Sequence, residues 1–130
     1  PNNLKKIVPD YMLFNITSKV LDRMYPGMII SYQVAPLLKF KLNWVTEITQ
    51  VVKNKFFVDE QRLGPYSFWH HQHLFEVVGD QVKMTDIVTY KPPFGIIGVI
   101  ANTLFIRKQL ESIFEYRRLN MDKLFNGNKK

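Results

Sequence analysis

The sequence predicts an α+β fold in which a curved, mostly antiparallel sheet wraps around a long C-terminal helix. Six runs between residues 11 and 91 alternate apolar and polar side chains and are separated by turn signals, which is typical of strands joined as hairpins. From about Asn102 the apolar residues recur every three or four positions, which indicates a helix to about Asn126. Such a helix spans about 37 Å and a 12-residue strand about 40 Å, so one helix can lie along the whole sheet.

The first half of the chain is predicted to hold three strands. They are expected over residues 11–16, 28–34 and 39–52, after a segment at 1–9 that is expected to end a helical connection. Pro-Gly at 26–27 is a turn signal before the second strand.

A tight turn at Lys53-Asn54 is predicted to join the third strand to a fourth by pairing Val52 with Lys55. This register sets Glu47 opposite Glu60, which is a repulsive pair. It also places three residues of the fourth strand on the same face as the third strand's inward side chains, Trp44 and Ile48: Phe57, Asp59 and Gln61.

The central hairpin has the clearest pattern in the sequence. Gly79-Asp80 offers a two-residue turn that pairs Val78 with Gln81 and so fixes the register of both strands. One face carries large apolar side chains and is expected to be buried; its opposed pairs are Phe75 with Met84, His73 with Asp86, His71 with Val88, and Trp69 with Tyr90. The other face is expected to meet solvent; its pairs are Glu76 with Lys83, Leu74 with Thr85, and His70 with Thr89.

Three ionisable side chains lie on the face of this hairpin that is otherwise apolar: His71, His73 and Asp86. Burying a carboxylate and two imidazoles is costly unless they are paired. Directly opposed residues on paired strands lie about 5 Å apart and diagonal ones about 7–8 Å apart, so the three can satisfy one another. This polar group among aromatic side chains is the strongest functional signal in the sequence.

The last segment is predicted to be a link followed by the helix. Pro92-Pro93 end the sixth strand, and Gly95 and Gly98 are expected to loosen the connection. Residues 102 and 103 can cap the helix N-terminus. The helix face expected to meet the sheet comprises Ile106, Leu110, Ile113, Phe114, Arg117, Met121 and Leu124.

Composition limits the class of protein. The 130 residues are 46% hydrophobic and suffice for one globular domain, which we place at 1–130. The absence of cysteine excludes disulfides, thiolate metal sites and a cysteine nucleophile, and it fits a cytoplasmic location. No apolar run approaches the ~18 residues of a membrane span, so stable membrane insertion is not expected. The net charge of +7 is spread along the chain, so nucleic-acid binding is not expected either.

Several short motifs, taken together, resemble a known family. They are FVDEQ at 57–61, GPY at 64–66, W-x-H-x-H-x-F at 69–75, T-D-x-V-x-Y at 85–90, P-F-G at 93–95 and IFEYR at 113–117. The set resembles the SRPBCC group of START-like helix-grip proteins, in particular its small cyclase/dehydrase-like ligand-binding branch, from about Asn3 onward. The resemblance implies a curved sheet that wraps the helix and encloses an apolar cavity. Such proteins usually open with one further strand and a helix, so we expect such a segment to precede residue 1.

The resemblance implies that the protein binds a hydrophobic small molecule, such as a lipid, an isoprenoid or a polyketide-like compound, and that it uses no cofactor. The polar anchor for this ligand would be His71, His73 and Asp86. The residues expected to line the cavity are Phe40, Trp44, Phe57, Asp59, Trp69, His71, His73, Phe75, Met84, Asp86, Val88, Tyr90, Leu110, Ile113 and Phe114.

Two other functions also fit the sequence. A polyketide cyclase/dehydrase-type enzyme would use His71, His73 and Asp86 for acid–base catalysis, with Tyr90 as a hydrogen-bond donor. A protein-interaction module on the same fold would have a filled cavity and an exposed apolar patch. The two imidazoles and the carboxylate also match a set of metal ligands, but the family resemblance implies no metal, so none is expected.

Overall fold

A computed structural model describes residues 7–19, 21–35 and 41–126 of the chain. Within these ranges the fold is α+β, with one curved six-stranded antiparallel sheet and a long C-terminal helix. Each strand pairs with the next one in the sequence. The strands are β1 (Asn15–Ile16), β2 (Met28–Val34), β3 (Leu42–Val52), β4 (Phe56–Leu63), β5 (Phe68–Val78) and β6 (Gln81–Lys91).

The β5–β6 hairpin forms as the sequence predicts. Val78 pairs with Gln81 across the two-residue turn, where Gly79 has a φ of 64°. Every predicted pair on both faces is present. Trp69, His71 and His73 are buried, as expected for the inner face. A two-residue turn leaves the strands no freedom to shift register, which is why this part of the prediction is confirmed.

The β3–β4 hairpin differs from the prediction at its turn. The turn has three residues centred on Asn54, whose φ is 61°, so Val52 pairs with Phe56 and not with Lys55. Asparagine tolerates this left-handed conformation better than most residues, which favours the longer turn. A register shift further along β3 restores the predicted alignment and keeps Asp59 on the inner face.

The first predicted strand is wrong for most of its length. Asp10–Met12 is a 3-10 helix, and only Asn15–Ile16 pairs with β2. Leu13 has a φ of 47°, which an extended strand does not allow, so the chain turns there before β1 begins. Parts of two other predicted segments, residues 1–6 and 39–40, lie outside the described residues, and β3 begins at Leu42.

The C-terminal helix begins at Gly95, earlier than the predicted Asn102. It comprises α1 (Gly95–Ala101), a π-helical turn (Asn102–Ile106) and α2 (Arg107–Asn126). The sequence hides α1 because its side chains are apolar on nearly all sides and show no 3.6-residue period. Gly98, predicted to loosen a link, is buried in α1 against the backbone of Pro93. No helix among the described residues is long and apolar enough to cross a membrane.

The core lies on the sheet face that α2 covers. Its larger cluster joins Val34, Trp44 and Trp69, and Leu110 of α2 packs against it. The rings of Trp44 and Trp69 meet edge to face with centroids 5.2 Å apart, an arrangement that the charge distribution of aromatic rings favours. A second cluster consists of Met28, Ile30 and Ile48.

Replacing Gly98 with alanine tests the early start of the helix. A β-carbon at this position would overlap the carbonyl oxygen of Pro93, which belongs to the backbone. We expect Gly98→Ala to lower the free energy of unfolding by about 1–3 kcal/mol in urea denaturation. Val99→Ala trims an exposed side chain one position later and should change it by less than about 0.5 kcal/mol. Equal stability of the two variants would contradict a helix that begins at Gly95.

Candidate functional site

A cavity of about 610 Å³ lies between the inner face of the sheet and α2. Most of its wall is aromatic or aliphatic, and strands of the sheet contribute to it together with the helix. The predicted residues that line this cavity are Trp44, Phe57, Asp59, Trp69, His71, His73, Phe75, Met84, Leu110, Ile113 and Phe114.

Three predicted lining residues lie elsewhere. Asp86, Val88 and Tyr90 line a second cavity, of about 770 Å³, between β6 and α2. Leu110 and Phe114 line both cavities, so these side chains of α2 stand between them. These residues of β6 thus line a neighbouring cavity that shares Met84, Leu110 and Phe114 with the first. The remaining predicted residue, Phe40, lies outside the described residues.

A cluster of buried ionisable side chains forms part of the cavity wall. His71 and His73 lie side by side on β5, with ring centroids 3.8 Å apart. Asp59 of β4 approaches from one side, with Oδ2 2.7 Å from His73 Nε2 and 3.5 Å from His71 Nδ1. Asp86 of β6 approaches from the other side, with Oδ1 2.8 Å from His73 Nδ1 and 3.2 Å from His71 Nε2. Each imidazole therefore lies between two carboxylates.

Arg117 of α2 completes the cluster. Its Nε is 3.4 Å from Oδ2 of Asp86, and its Nη2 is 3.3 Å from Nδ1 of His73. Only 12% of this side chain is exposed. The sequence places Arg117 on the helix face toward the sheet but does not mark it as a site residue. One feature of the sequence could have identified it: Arg117 is a charged residue on the otherwise apolar face of the helix. A buried charge needs an oppositely charged or hydrogen-bonding partner nearby.

Asp59 takes a larger part in the cluster than the sequence predicts. The hairpin pattern suggested that His71, His73 and Asp86 would satisfy one another. The pairing of β4 with β5 places Asp59 directly opposite His71, which adds a second carboxylate. This pairing follows a break at Gly64-Pro65, where no short turn fixes the register.

The surroundings shift the ionisation of three cluster members. Burial lowers the pKa of His71, although the hydrogen bond with Asp86 opposes this. Burial acts to raise the pKa of Asp86, but hydrogen bonds from His71 and His73 and the charge of Arg117 outweigh it and hold the pKa well below its usual range. Burial also lowers the pKa of Arg117, against the attraction of both carboxylates. Asp86 is therefore ionised at neutral pH, and His71 is uncharged.

Aromatic neighbours hold both imidazole rings in place. Phe57 stacks on His73 with centroids 3.9 Å apart and planes inclined by 15°. Phe114 of α2 meets His71 edge to face at 5.4 Å. The rings are thus packed from the sheet and from the helix, which limits their rotation.

Other polar groups line the cavity away from the cluster. The hydroxyls of Tyr32 and Thr46 are hydrogen-bonded at 2.8 Å. Burial raises the pKa of Tyr66 to about 12, and burial also raises that of Tyr32. The indole Nε1 of Trp44 is buried without a hydrogen-bond partner among the described residues. The cavity wall therefore carries hydroxyl groups in addition to the ionisable cluster.

Tyr90, a predicted catalytic candidate, stands apart from the cluster. Its ring packs against Tyr66 and Trp69, with centroids 5.6 and 6.2 Å apart. It lines the second cavity beside β6, not the one that His71 and His73 line. The structure therefore does not bring it to the imidazoles.

The outer face of the sheet has its own charged network. His70 points away from the cluster, and its Nδ1 is 2.8 Å from Glu60. Arg62 pairs with both Glu47, at 2.6 Å, and Glu60, at 3.4 Å. The predicted repulsion between the two glutamates is thereby offset, and His70 is confirmed as separate from the two inner histidines.

Comparison with known proteins supports the fold alone. No model of a known protein family and no curated protein matches the sequence. The structure is similar to the crystal structure of the protein TTHA0849 from Thermus thermophilus, with a TM-score of 0.68 and 15% sequence identity. The match covers 99% of this chain and 86% of that protein. At this level of identity the likeness extends to the architecture and not to the chemistry of the site.

Removing the Asp86 carboxylate tests the cluster's contribution to stability. Asp86→Ala removes one of the two carboxylates beside each imidazole and the ion-pair partner of Arg117, so we expect it to lower the free energy of unfolding by about 1–3 kcal/mol. Lys83→Ala, on the outer face of the same strand, should cost well under 1 kcal/mol. Chemical denaturation measures both, and equal losses would contradict the assignment of the faces of β6.

The low pKa of Asp86 predicts a component of acid sensitivity. Its folded pKa is below its unfolded value of about 3.9. The ionised carboxylate therefore contributes stability that is present above about pH 4 and is lost as the pH falls through the folded pKa. We expect the stability of Asp86→Asn to fall less steeply than that of the wild type between about pH 4 and pH 2. Thermal unfolding at a series of pH values measures this difference. Parallel curves would show that Asp86 is not the group responsible.

Proposed function

We propose that the protein is a START-like helix-grip protein that binds a hydrophobic small molecule with a polar group, such as a lipid, an isoprenoid or a polyketide-like compound. The motifs from FVDEQ to IFEYR support the family, and the observed architecture is compatible with it. The observation that carries the function is the cavity of about 610 Å³ between the sheet and α2. Sites for small molecules usually occupy about 300–1,000 Å³ and combine apolar walls with a few polar groups.

The aromatic wall favours an apolar ligand. Trp44, Trp69, Phe57 and Phe114 face the cavity from the sheet and the helix. Covering apolar surface contributes about 25 cal/mol for each Å² removed from water, so a ligand that fills this volume gains mainly from its hydrocarbon part. Charged side chains are confined to one region of the wall, where His71 and His73 lie.

The polar groups in the wall favour an oxygen on the ligand. The imidazoles of His71 and His73 form one polar region of the cavity, and the hydroxyls of Tyr32 and Thr46 lie elsewhere in the same wall. A carbonyl or hydroxyl oxygen on the ligand can form a hydrogen bond with these groups. A largely apolar molecule with one or two oxygen atoms matches this wall.

Native mass spectrometry of the purified protein tests the proposal. We expect a co-purified hydrophobic molecule, which denaturing analysis would release and identify. Ile113→Trp places a larger side chain in the cavity and should abolish binding, whereas Leu119→Trp enlarges a helix side chain that is 45% exposed and should preserve it. Ligand retained in Ile113→Trp would contradict the assigned cavity, as would the failure of lipid, isoprenoid and polyketide-like probes to bind the wild type.

A cyclase/dehydrase-type enzyme is the second candidate function. The observation in its favour is an uncharged His71 that is hydrogen-bonded to Asp86 in the wall of the cavity, the arrangement of a general base. The same experiment separates the two functions, because an enzyme would change the mass of the recovered ligand on incubation and His71→Gln would stop the change. An interaction module predicts a filled cavity and an exposed apolar patch. The open cavity speaks against it, whereas the exposed side chains of Ile96, Ile97 and Ile100 in α1 match its second expectation.

A further inference from the structure

Three atoms of the buried cluster converge on one point in the cavity wall. Asp59, His71 and His73 each offer one ligand atom, and these atoms lie within 4.8 Å of one another. Oδ2 of Asp59 is 3.5 Å from Nδ1 of His71 and 2.7 Å from Nε2 of His73. Both histidines are buried and the aspartate is half-buried. Two imidazoles and a carboxylate are ligands that many metalloproteins use, and all three residues line the cavity.

The opposite nitrogen of each ring faces a different carboxylate. Nε2 of His71 and Nδ1 of His73 lie 3.2 and 2.8 Å from the same oxygen of Asp86. The Nη2 donor of Arg117 also lies 3.3 Å from Nδ1 of His73, so this nitrogen has both a carboxylate and a guanidinium beside it. Histidines that bind metals commonly donate their other N–H to a carboxylate, which orients the ring and sets its tautomer.

Both nitrogens of each ring face a carboxylate oxygen. The nitrogens turned toward Asp59 each offer a lone pair when they carry no proton, as does Oδ2 of Asp59. A metal ion at this point would contact all three atoms, while the opposite ring nitrogens keep their contacts with Asp86.

The cation already present in the cluster leaves the point of convergence open. Arg117 is paired with Asp86, on the far side of the rings from Asp59, so it does not occupy the point of convergence.

We infer that Asp59, His71 and His73 bind one divalent first-row metal ion, such as Zn²⁺, with Asp86 and Arg117 as positioning residues behind the imidazoles. This inference does not depend on the hydrophobic ligand of the proposed function. Two nitrogen ligands and one oxygen suit Zn²⁺, Co²⁺ or Fe²⁺, whereas Ca²⁺ and Mg²⁺ prefer oxygen alone. Three protein ligands leave a coordination position for water or for an oxygen of a molecule in the cavity.

The two distances from Asp59 to the histidine nitrogens are close to those of a tetrahedral metal site. Bonds of about 2.0–2.2 Å in a tetrahedral arrangement set the ligand atoms roughly 3.3 Å apart. His71 Nδ1 and Asp59 Oδ2 are 3.5 Å apart, which already matches, while His73 Nε2 and Asp59 Oδ2 are 2.7 Å apart. Movement of the Asp59 carboxylate by a fraction of an ångström would open the shorter distance.

Calorimetric titration of the chelator-treated protein with Zn²⁺, and with Co²⁺ as a spectroscopic probe, tests the site. We expect one metal ion per chain and a visible Co²⁺ spectrum typical of nitrogen and oxygen ligands. His71→Gln and His73→Gln should each abolish this binding. Asp86→Asn keeps all three ligands but weakens their orientation, so it should reduce the affinity about 10–100-fold while keeping the type of Co²⁺ spectrum.

The matched control is His70→Gln, which removes the neighbouring histidine on the outer face of β5. It should leave affinity and stoichiometry unchanged, and circular dichroism checks that every variant is folded. Failure of the wild type to bind Zn²⁺ or Co²⁺ would overturn the inference, because the cluster would then be held by hydrogen bonds and ion pairs among its own side chains. Binding that survives in a folded His73→Gln, or that His70→Gln removes, would overturn it as well.

Discussion

The register of the β5–β6 hairpin is the constraint on which the site depends. Side chains alternate between the two faces of a strand, so a slip of one residue would move both inner histidines to the outer surface and bring His70 inside. The two-residue turn at Gly79-Asp80 prevents that slip by pairing Val78 with Gln81. The inward placement of His71, His73 and Asp86 follows from this one turn.

The cluster then connects the sheet to the helix. Asp59, His71 and Asp86 come from three neighbouring strands, and Arg117 reaches them from α2. Each buried charge is tolerated because an opposite charge or a hydrogen-bonding ring lies beside it. The same pairing shifts the pKa of Asp86 downward, and burial leaves an uncharged imidazole at the cavity wall. The ionisable cluster thus joins the helix to the sheet. It is also the polar part of the cavity wall, where an ion or a polar group could bind.

The cavity lies beside the contacts that join α2 to the inner face of the sheet. Leu110 packs on the Trp44 and Trp69 cluster, and Phe114 meets the edge of His71. These contacts fix α2 at the wall and leave a volume of about 610 Å³ beside them. They also separate this volume from the second cavity along β6, which Val88 and Tyr90 line. Core packing and ligand space are therefore set by the same residues.

The sequence by itself determined the α+β class, the strands from Met28 onward and the pairing of the central hairpin, because alternation and short turns are local signals. It also identified His71, His73 and Asp86 as an inward-facing polar group. It did not reveal the early start of the helix, since the apolar residues after Gly95 show no helical period. Only the tertiary structure decided which groups complete the site. Asp59 joins through the pairing of β4 with β5, across a break that fixes no register, and Arg117 joins through the position of α2 on the sheet. Contacts between elements that are distant in the sequence depend on how a helix packs against a curved sheet, and the local pattern of residues does not encode that geometry.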